Sequence, residues 1–167
     1  MIDLKNLNII VTGATGIIGN SILEKLILGG SNILATGTNE EKLEQIKNKY
    51  ENINTLKFDI SKHNEIEKFI ESCSTIFSNK IDVLINNAGI MPLAFYSDHQ
   101  KAEDSWERCI DINIKGVLNG IVAVHDQMIK QGGGHIVNLA SIYGNYPTEG
   151  GGVYGATKAA VIFLSES

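Results

Sequence analysis

Leu7-Asn8-Ile9-Ile10-Val11-Thr12-Gly13-Ala14-Thr15-Gly16-Ile17-Ile18-Gly19 is the stretch that decides the fold. Leu7 to Thr12 reads as a buried strand, and it runs without a linker into a glycine turn. A helical pattern follows from about Ile17 to Leu28. Glycines at such a junction permit a tight turn and let main-chain N–H groups approach a pyrophosphate at the N-terminus of the next helix. An ordinary strand-to-helix turn needing positive φ would use the same residues. The position after the first strand of a βαβ series favours the nucleotide site.

The same alternation repeats outward from this turn. Asn32 to Thr36 reads as a second strand, and a helix runs from about Glu40 to Tyr50 with Thr38 and Glu41 at capping-box spacing. Thr55 to Phe58 is a third strand, and Ser61 is placed to cap a helix reaching about Phe77. Ile81 to Ile85 is a continuous apolar strand. Glu103 to Lys130 is one long helical stretch with Asn113 in its middle, ended by Gly132-Gly133-Gly134. His135 to Ala140 is a fifth strand, and a last helix starts near Gly152 and runs to the end of the chain. Both prolines, Pro92 and Pro147, fall in loops. Apolar strands spaced by helices mean βαβ units, so the expected fold is α/β: a doubly wound, Rossmann-like parallel sheet of five strands in the order 3-2-1-4-5, forming one nucleotide-binding domain over residues 1–167.

Composition narrows the partners. A net charge of −5 without any basic block argues against nucleic acid or an anionic membrane surface. Cys73 and Cys109 form no CxxC pair and fit reduced thiols in an intracellular protein. His63, His99, His125 and His135 lack metal-ligand spacing, so no metal site is expected. Met1 to Lys5 lacks the basic head and apolar core of a signal peptide, and no apolar run approaches the ~18 residues of a membrane span. The expected location is the cytoplasm.

Near the end of the chain, Tyr154 and Lys158 stand at i and i+4, so one helix face carries both. A positive charge beside a phenol favours the phenolate, which suits proton exchange with an alcohol or carbonyl. Ser141 lies thirteen residues before Tyr154. Taken singly, each has a plainer reading. Ser141 can be a polar strand end, Asn113 a cap at a helix break, Tyr154 a half-buried ring and Lys158 a solvated charge.

Taken in order, these residues and three further motifs resemble the short-chain dehydrogenase/reductase family. The motifs are the glycine turn at Gly13, Gly16 and Gly19, Asp59-Ile60 after strand three, and Asn86-Asn87-Ala88-Gly89 after strand four. Asn113, Ser141, Tyr154 and Lys158 match the family's catalytic tetrad. The resemblance implies an NAD(P)-dependent oxidoreductase moving a hydride between nicotinamide and a carbonyl or secondary alcohol. In that role Tyr154 is the general acid/base, and Lys158 favours its phenolate and binds the nicotinamide ribose. Ser141 hydrogen-bonds the substrate oxygen, and Asn113 opens the helix to hold a water linked to Lys158. The implied cofactor contacts are Gly13, Thr15, Gly16, Ile18 and Gly19 in the turn, Thr38 after strand two, Asp59 and Ile60 at the adenine, Asn87, Ala88 and Gly89 after strand four, then Tyr154 and Lys158. An acidic residue after strand two would hold the ribose hydroxyls of NAD, and Gly37 and Thr38 supply none, which tilts the choice toward NADP over NAD. One departure stands in the turn: Ile17 occupies a position where the family's common pattern has glycine or alanine.

Ile90 to Ala102 reads as a plain βα connection, and as a substrate wall it offers Met91, Pro92, Phe95 and Tyr96. Tyr143 and Tyr146 are further candidates to border a small-molecule carbonyl or alcohol. Family members are about half as long again and add two strands, so the resemblance implies a domain incomplete at its C-terminus. That length carries a second expectation, a shortened relative that binds dinucleotide weakly or not at all and has no turnover. The family also pairs through the helices around Asn113 and Tyr154, so a homo-oligomer is expected there.

Overall fold

Ile9 and Val11 pack to one side of the first strand, β1 (Asn8–Val11), and Ile10 to the other, and all three are essentially without solvent contact. Such a strand needs cover on both faces. The computed structural model, which describes residues 3–167, supplies it with six helices around a five-stranded parallel sheet. Met1 and Ile2, part of the N-terminal segment considered as a leader, lie outside the described residues.

The sheet order is β3-β2-β1-β4-β5, with β2 at Asn32–Gly37, β3 at Ile53–Lys57, β4 at Val83–Asn86 and β5 at His135–Asn138. Ile10 sits between Leu34 and Leu84 in register, and Leu84 pairs onward with Ile136. On one face α3 (Ile66–Phe77) and α5 (Gly116–Lys130) bury Phe69, Phe77, Val124 and Met128 against Ile10, Leu34 and Leu84. On the other, α1 (Ile17–Leu28) and α2 (Glu40–Lys49) bury Leu23, Leu26 and Ile46 against Ile9, Val11, Ile33 and Ile85. The expected fold class and strand order are the observed ones. Both cysteines are free and buried, and burial pushes the Cys73 thiol up to about 12.

Several boundaries differ, each because a side chain found a partner outside its own segment. Asn39, not Thr38, caps α2, its Oδ1 accepting the Lys42 N–H at 2.9 Å. Ser61 does not cap α3, because its N–H and hydroxyl both donate to Asp59 Oδ1, and a 3₁₀ turn at His63–Glu65 intervenes. β3 begins two residues before Thr55, at the buried Ile53. The fourth strand starts late because the Ile81 N–H donates to the Gln131 side chain. The long helix begins earlier than expected, as α4 (His99–Ile110), and its middle is a π-helical turn at Asp111–Lys115 centred on Asn113. A π-bulge there widens the helix without ending it.

Thr12, directly after β1, ties the two central strands together at the end where the glycine turn starts. Its hydroxyl oxygen accepts the main-chain N–H groups of Asn87 and Ala88, both at 3.1 Å. Asn87 returns the contact, donating through Nδ2 to the carbonyls of Thr12 and Gly13 at 2.9 and 3.0 Å. Thr12→Val keeps the shape but strands the Ala88 N–H and leaves the Asn87 N–H only the Ile85 carbonyl at 3.1 Å. It is expected to cost about 1–3 kcal/mol, a fall in Tm of roughly 2–12 °C for a chain of this size. Thermal melts followed by circular dichroism check this, and an unchanged Tm would show that water or another acceptor replaces the hydroxyl.

Candidate active site

The carboxyl ends of β1, β2, β3 and β4 open into a cavity of about 560 Å³. Its floor is the turn after β1, which contributes Gly13, Thr15, Gly16, Ile18 and Gly19. Thr38 lines it after β2, Asp59 and Ile60 after β3, and Asn87, Ala88 and Gly89 after β4. Eleven of the residues singled out for cofactor contact thus share one wall system, although four strand ends separate them in sequence.

Two glycines make the turn possible. Gly13 has φ +63°, and a Cβ on it would stand 2.7 Å from Ala88 Cα. A Cβ on Gly19 would stand 2.7 Å from Ala14 Cα and 2.9 Å from Asn87 Nδ2. Gly16 caps α1 without any side chain, so the first-turn N–H groups of that helix keep no internal partner and face the cavity. Ile17 is 90 % exposed, so its branched side chain leaves the turn's interior uncrowded. Gly37 presses on the turn from β2: a Cβ there would lie 3.0 Å from Thr15 Cγ2 and Oγ1.

Asn113, Ser141, Tyr154 and Lys158 lie outside the lining of that cavity, and Asn113 and Lys158 stand beside its Gly89–Ile90 rim. A Cβ on Gly89 would sit 3.2 Å from Asn113 Oδ1 and 3.5 Å from Lys158 Nζ. Asn113 is fully buried in the π turn. Its Oδ1 accepts the Ile90 N–H at 2.9 Å, and its Nδ2 donates to the Ile90 carbonyl at 3.0 Å. Tyr154 and Lys158 stand on α6 (Gly152–Glu166), with Lys158 Nζ 5.9 Å from the Tyr154 ring centre. Nζ donates to the Leu139 carbonyl at 2.6 Å. Ser141 Oγ accepts the Tyr143 N–H at 3.2 Å, which leaves its own hydrogen for another acceptor. The turn after Ser141 (Ile142–Gly144) fits against α6 because Gly144 and Gly155 carry no Cβ; either would collide with the opposing backbone at 2.9 or 2.8 Å. The Tyr143 ring meets Tyr154 edge-on at 6.4 Å.

Lys158 is 6 % exposed, and this burial lowers its pKa, opposed by the nearby Cys109. Below the folded value the lysine is charged in both states and the burial penalty is fully present. Between the lowered value and the ordinary 10.5 the unfolded chain binds the extra proton, so stability attributable to this group rises with pH. Any stability advantage of Lys158→Met is therefore expected to shrink as pH rises from 7 toward 10. Parallel melts of the two proteins across that range test it, and a gap independent of pH would sink it.

Sequence reasoning missed Arg108 and Ile112, which also line the cavity. They stand four apart, so one helix face carries both, but nothing along the chain turned that face toward the glycine turn. Arg108 is the only arginine in the chain. The expected connection of Ile90–Ala102 ends at Asp98, just before α4 begins; it leaves Leu93, Phe95 and Tyr96 exposed and returns to the start of α6 through an Ala94 N–H bond to the Gly150 carbonyl at 3.0 Å. Tyr146 is exposed as well. Among the described residues no three His, Cys, Asp or Glu side chains gather to hold a metal, and no helix is long and apolar enough to cross a membrane.

A family model described as short chain dehydrogenase matches residues 7–167. An uncharacterized oxidoreductase of Staphylococcus saprophyticus is 39% identical over 168 residues, covering 99% of this chain and 67% of its own. An NADP-dependent 3-hydroxy acid dehydrogenase of Escherichia coli K12 is 37% identical over 154 residues, covering 92% and 61%. The chain therefore spans 61–67% of the length of these curated relatives. Among solved structures, the closed form of serine dehydrogenase complexed with NADP+ superposes with TM-score 0.89 at 35% identity, over 96% of this chain and 64% of that one. NAD+-bound xylitol dehydrogenase superposes with TM-score 0.90 at 31% identity, over 99% and 64%.

Proposed function

The chain belongs to the short-chain dehydrogenase family, and on that premise we propose that it is an NAD(P)-dependent oxidoreductase acting on a carbonyl or secondary alcohol. The observation that carries the reading is the placement of a buried lysine ammonium beside the Tyr154 ring, at the rim of a glycine-floored cavity. A dinucleotide fits the residues present. Gly13 and Gly19 let the turn close tightly on Ala88 and Ala14, and the uncapped first turn of α1 offers N–H groups to a pyrophosphate. Nicotinamide, when bound, supplies the hydride chemistry.

The chain's own residues handle the proton and the positioning. Tyr154 Oη exchanges a proton with the substrate oxygen, and the Lys158 ammonium favours the phenolate form. The free Ser141 hydrogen donates to the same oxygen as charge develops on it. Asn113 holds the rim at Ile90 in place through both main-chain groups. Asp59, Ile60 and Thr38 form the adenosine end, and Asp59 is held by Ser61. NADP is the proposed cofactor over NAD. Gly37, Thr38 and Asn39 carry no carboxylate, and Gly37 lies too close to Thr15 to take a larger side chain without displacing it. The cytoplasm is the proposed compartment, given two free thiols.

Titration with NADPH and NADH, following the blue shift of nicotinamide fluorescence, tests the reading. Saturable enhancement is expected with both, tighter for NADPH. No shift from a folded protein would favour the alternative, a relative that holds dinucleotide weakly or not at all and has no turnover.

Self-association is proposed through the outer faces of α5 and α6, where Leu118, Val122, Ile129 and Phe163 are exposed. Sedimentation should give a dimer or larger, and Val122→Lys should shift it toward monomer. A monomer before substitution would exclude this surface.

A further inference from the structure

Thr157 lies between Tyr154 and Lys158 on α6 and is 1 % exposed. Its hydroxyl hydrogen is committed, donating to the Tyr154 carbonyl at 2.7 Å. The oxygen can therefore only accept from Asn113, whose Nδ2 lies 3.0 Å away. That Nδ2 carries two hydrogens. One goes to the Ile90 carbonyl and the other to Thr157, with Cys109 Sγ as a third acceptor at 3.3 Å. Sulfur is a weak acceptor, so without the Thr157 oxygen the second hydrogen loses its good partner. Asn113 Oδ1 completes the chain by accepting the Ile90 N–H. One run of buried hydrogen bonds thus joins the Ile90 rim of the cavity to the helix bearing Tyr154 and Lys158.

We propose that Thr157 is a positioning residue: acting through Asn113, it pins Ile90 and the rim of the cavity to α6, and so sets the nicotinamide end of the site. The naming of that end rests on the oxidoreductase reading; the hydrogen-bond chain does not. A buried hydroxyl placed this way orients the Asn113 amide uniquely, because its single hydrogen already has its acceptor. Serine can do the same. Valine, with the same shape, cannot.

Two readouts test it. Hydrogen exchange at the Ile90 amide, followed by NMR on the protein without cofactor, should be at least about tenfold faster in Thr157→Val and within roughly twofold of the original in Thr157→Ser. In binding, Thr157→Val should weaken NADPH by about tenfold or more while adenosine 2′,5′-bisphosphate changes by less than roughly threefold. Thr157→Ala, which leaves more room, replaces the valine variant if that one does not fold. Unchanged exchange at Ile90 would overturn the proposal, as would equal weakening of NADPH and the adenosine fragment, or a serine variant behaving like valine. If the unsubstituted chain binds no NADPH, the oxidoreductase reading fails and the exchange measurement alone still decides for or against Thr157.

Discussion

Tyr154→Phe is expected to lower kcat/KM for carbonyl reduction by about 10²–10⁴-fold, the range a positioned general acid supplies. The substitution removes one oxygen and keeps the ring, including its edge contact with Tyr143 and its place beside Lys158. Binding of NADPH should change little, because the residues proposed to hold adenosine line the cavity on the turns after β1 to β4, and Tyr154 does not line it. Loss of turnover with retained nicotinamide fluorescence therefore separates chemistry from binding. A variant that keeps more than about a tenth of the activity would show that another group moves the proton. Ser141→Ala is the companion experiment. Its hydroxyl accepts the Tyr143 N–H as well as offering its hydrogen, so a smaller loss, accompanied by some loosening of the turn, is expected.

Gly19→Val should abolish dinucleotide binding and destabilise the fold together. The added Cβ would approach Ala14 Cα to 2.7 Å and collide with the Gly13 carbonyl, and both of these are backbone, with no side chain to swing aside. Overpacking of this kind costs about 1–3 kcal/mol, and more where backbone must move. The Tm is then expected to fall by roughly 2–12 °C. Binding should suffer beyond the stability loss, because relieving the clash opens the turn that would receive the pyrophosphate. Gly16→Ala is the control. Its nearest contact would be the Gly13 carbonyl at 3.4 Å, an ordinary distance, and φ −81° suits alanine. A difference of less than about 1 kcal/mol is expected there, the size of a lost glycine cap. Equal behaviour of the two variants would mean that the close packing at Gly19 is not what holds the turn.

Along the chain, the site was legible wherever a local pattern carried it. Gly13, Gly16 and Gly19 mark a turn because an apolar strand leads into them and a helical pattern leads out, and Tyr154 and Lys158 share a face because four residues make one helical turn. The capping residues were not legible in the same way. Thr38 and Asn39 are both good caps, and Ser61 is a good cap beside Asp59; which oxygen meets which N–H depends on how the chain leaves β2 and β3. Asn113 was readable as an interruption, yet the partners its amide meets in the π turn, Ile90 and Thr157, come from distant segments.

The sequence by itself determined the alternation of strands and helices, the strand order expected of a doubly wound sheet, and the family, because these depend on periodicity and on residues at fixed short spacings. Only the tertiary structure decided that Thr12 clamps β4, that Arg108 faces the cavity, and that Thr157 reaches Asn113. Those pairings join residues tens of positions apart. A hydroxyl or guanidinium carries no sign, along the chain, of the neighbour that folding will bring to it.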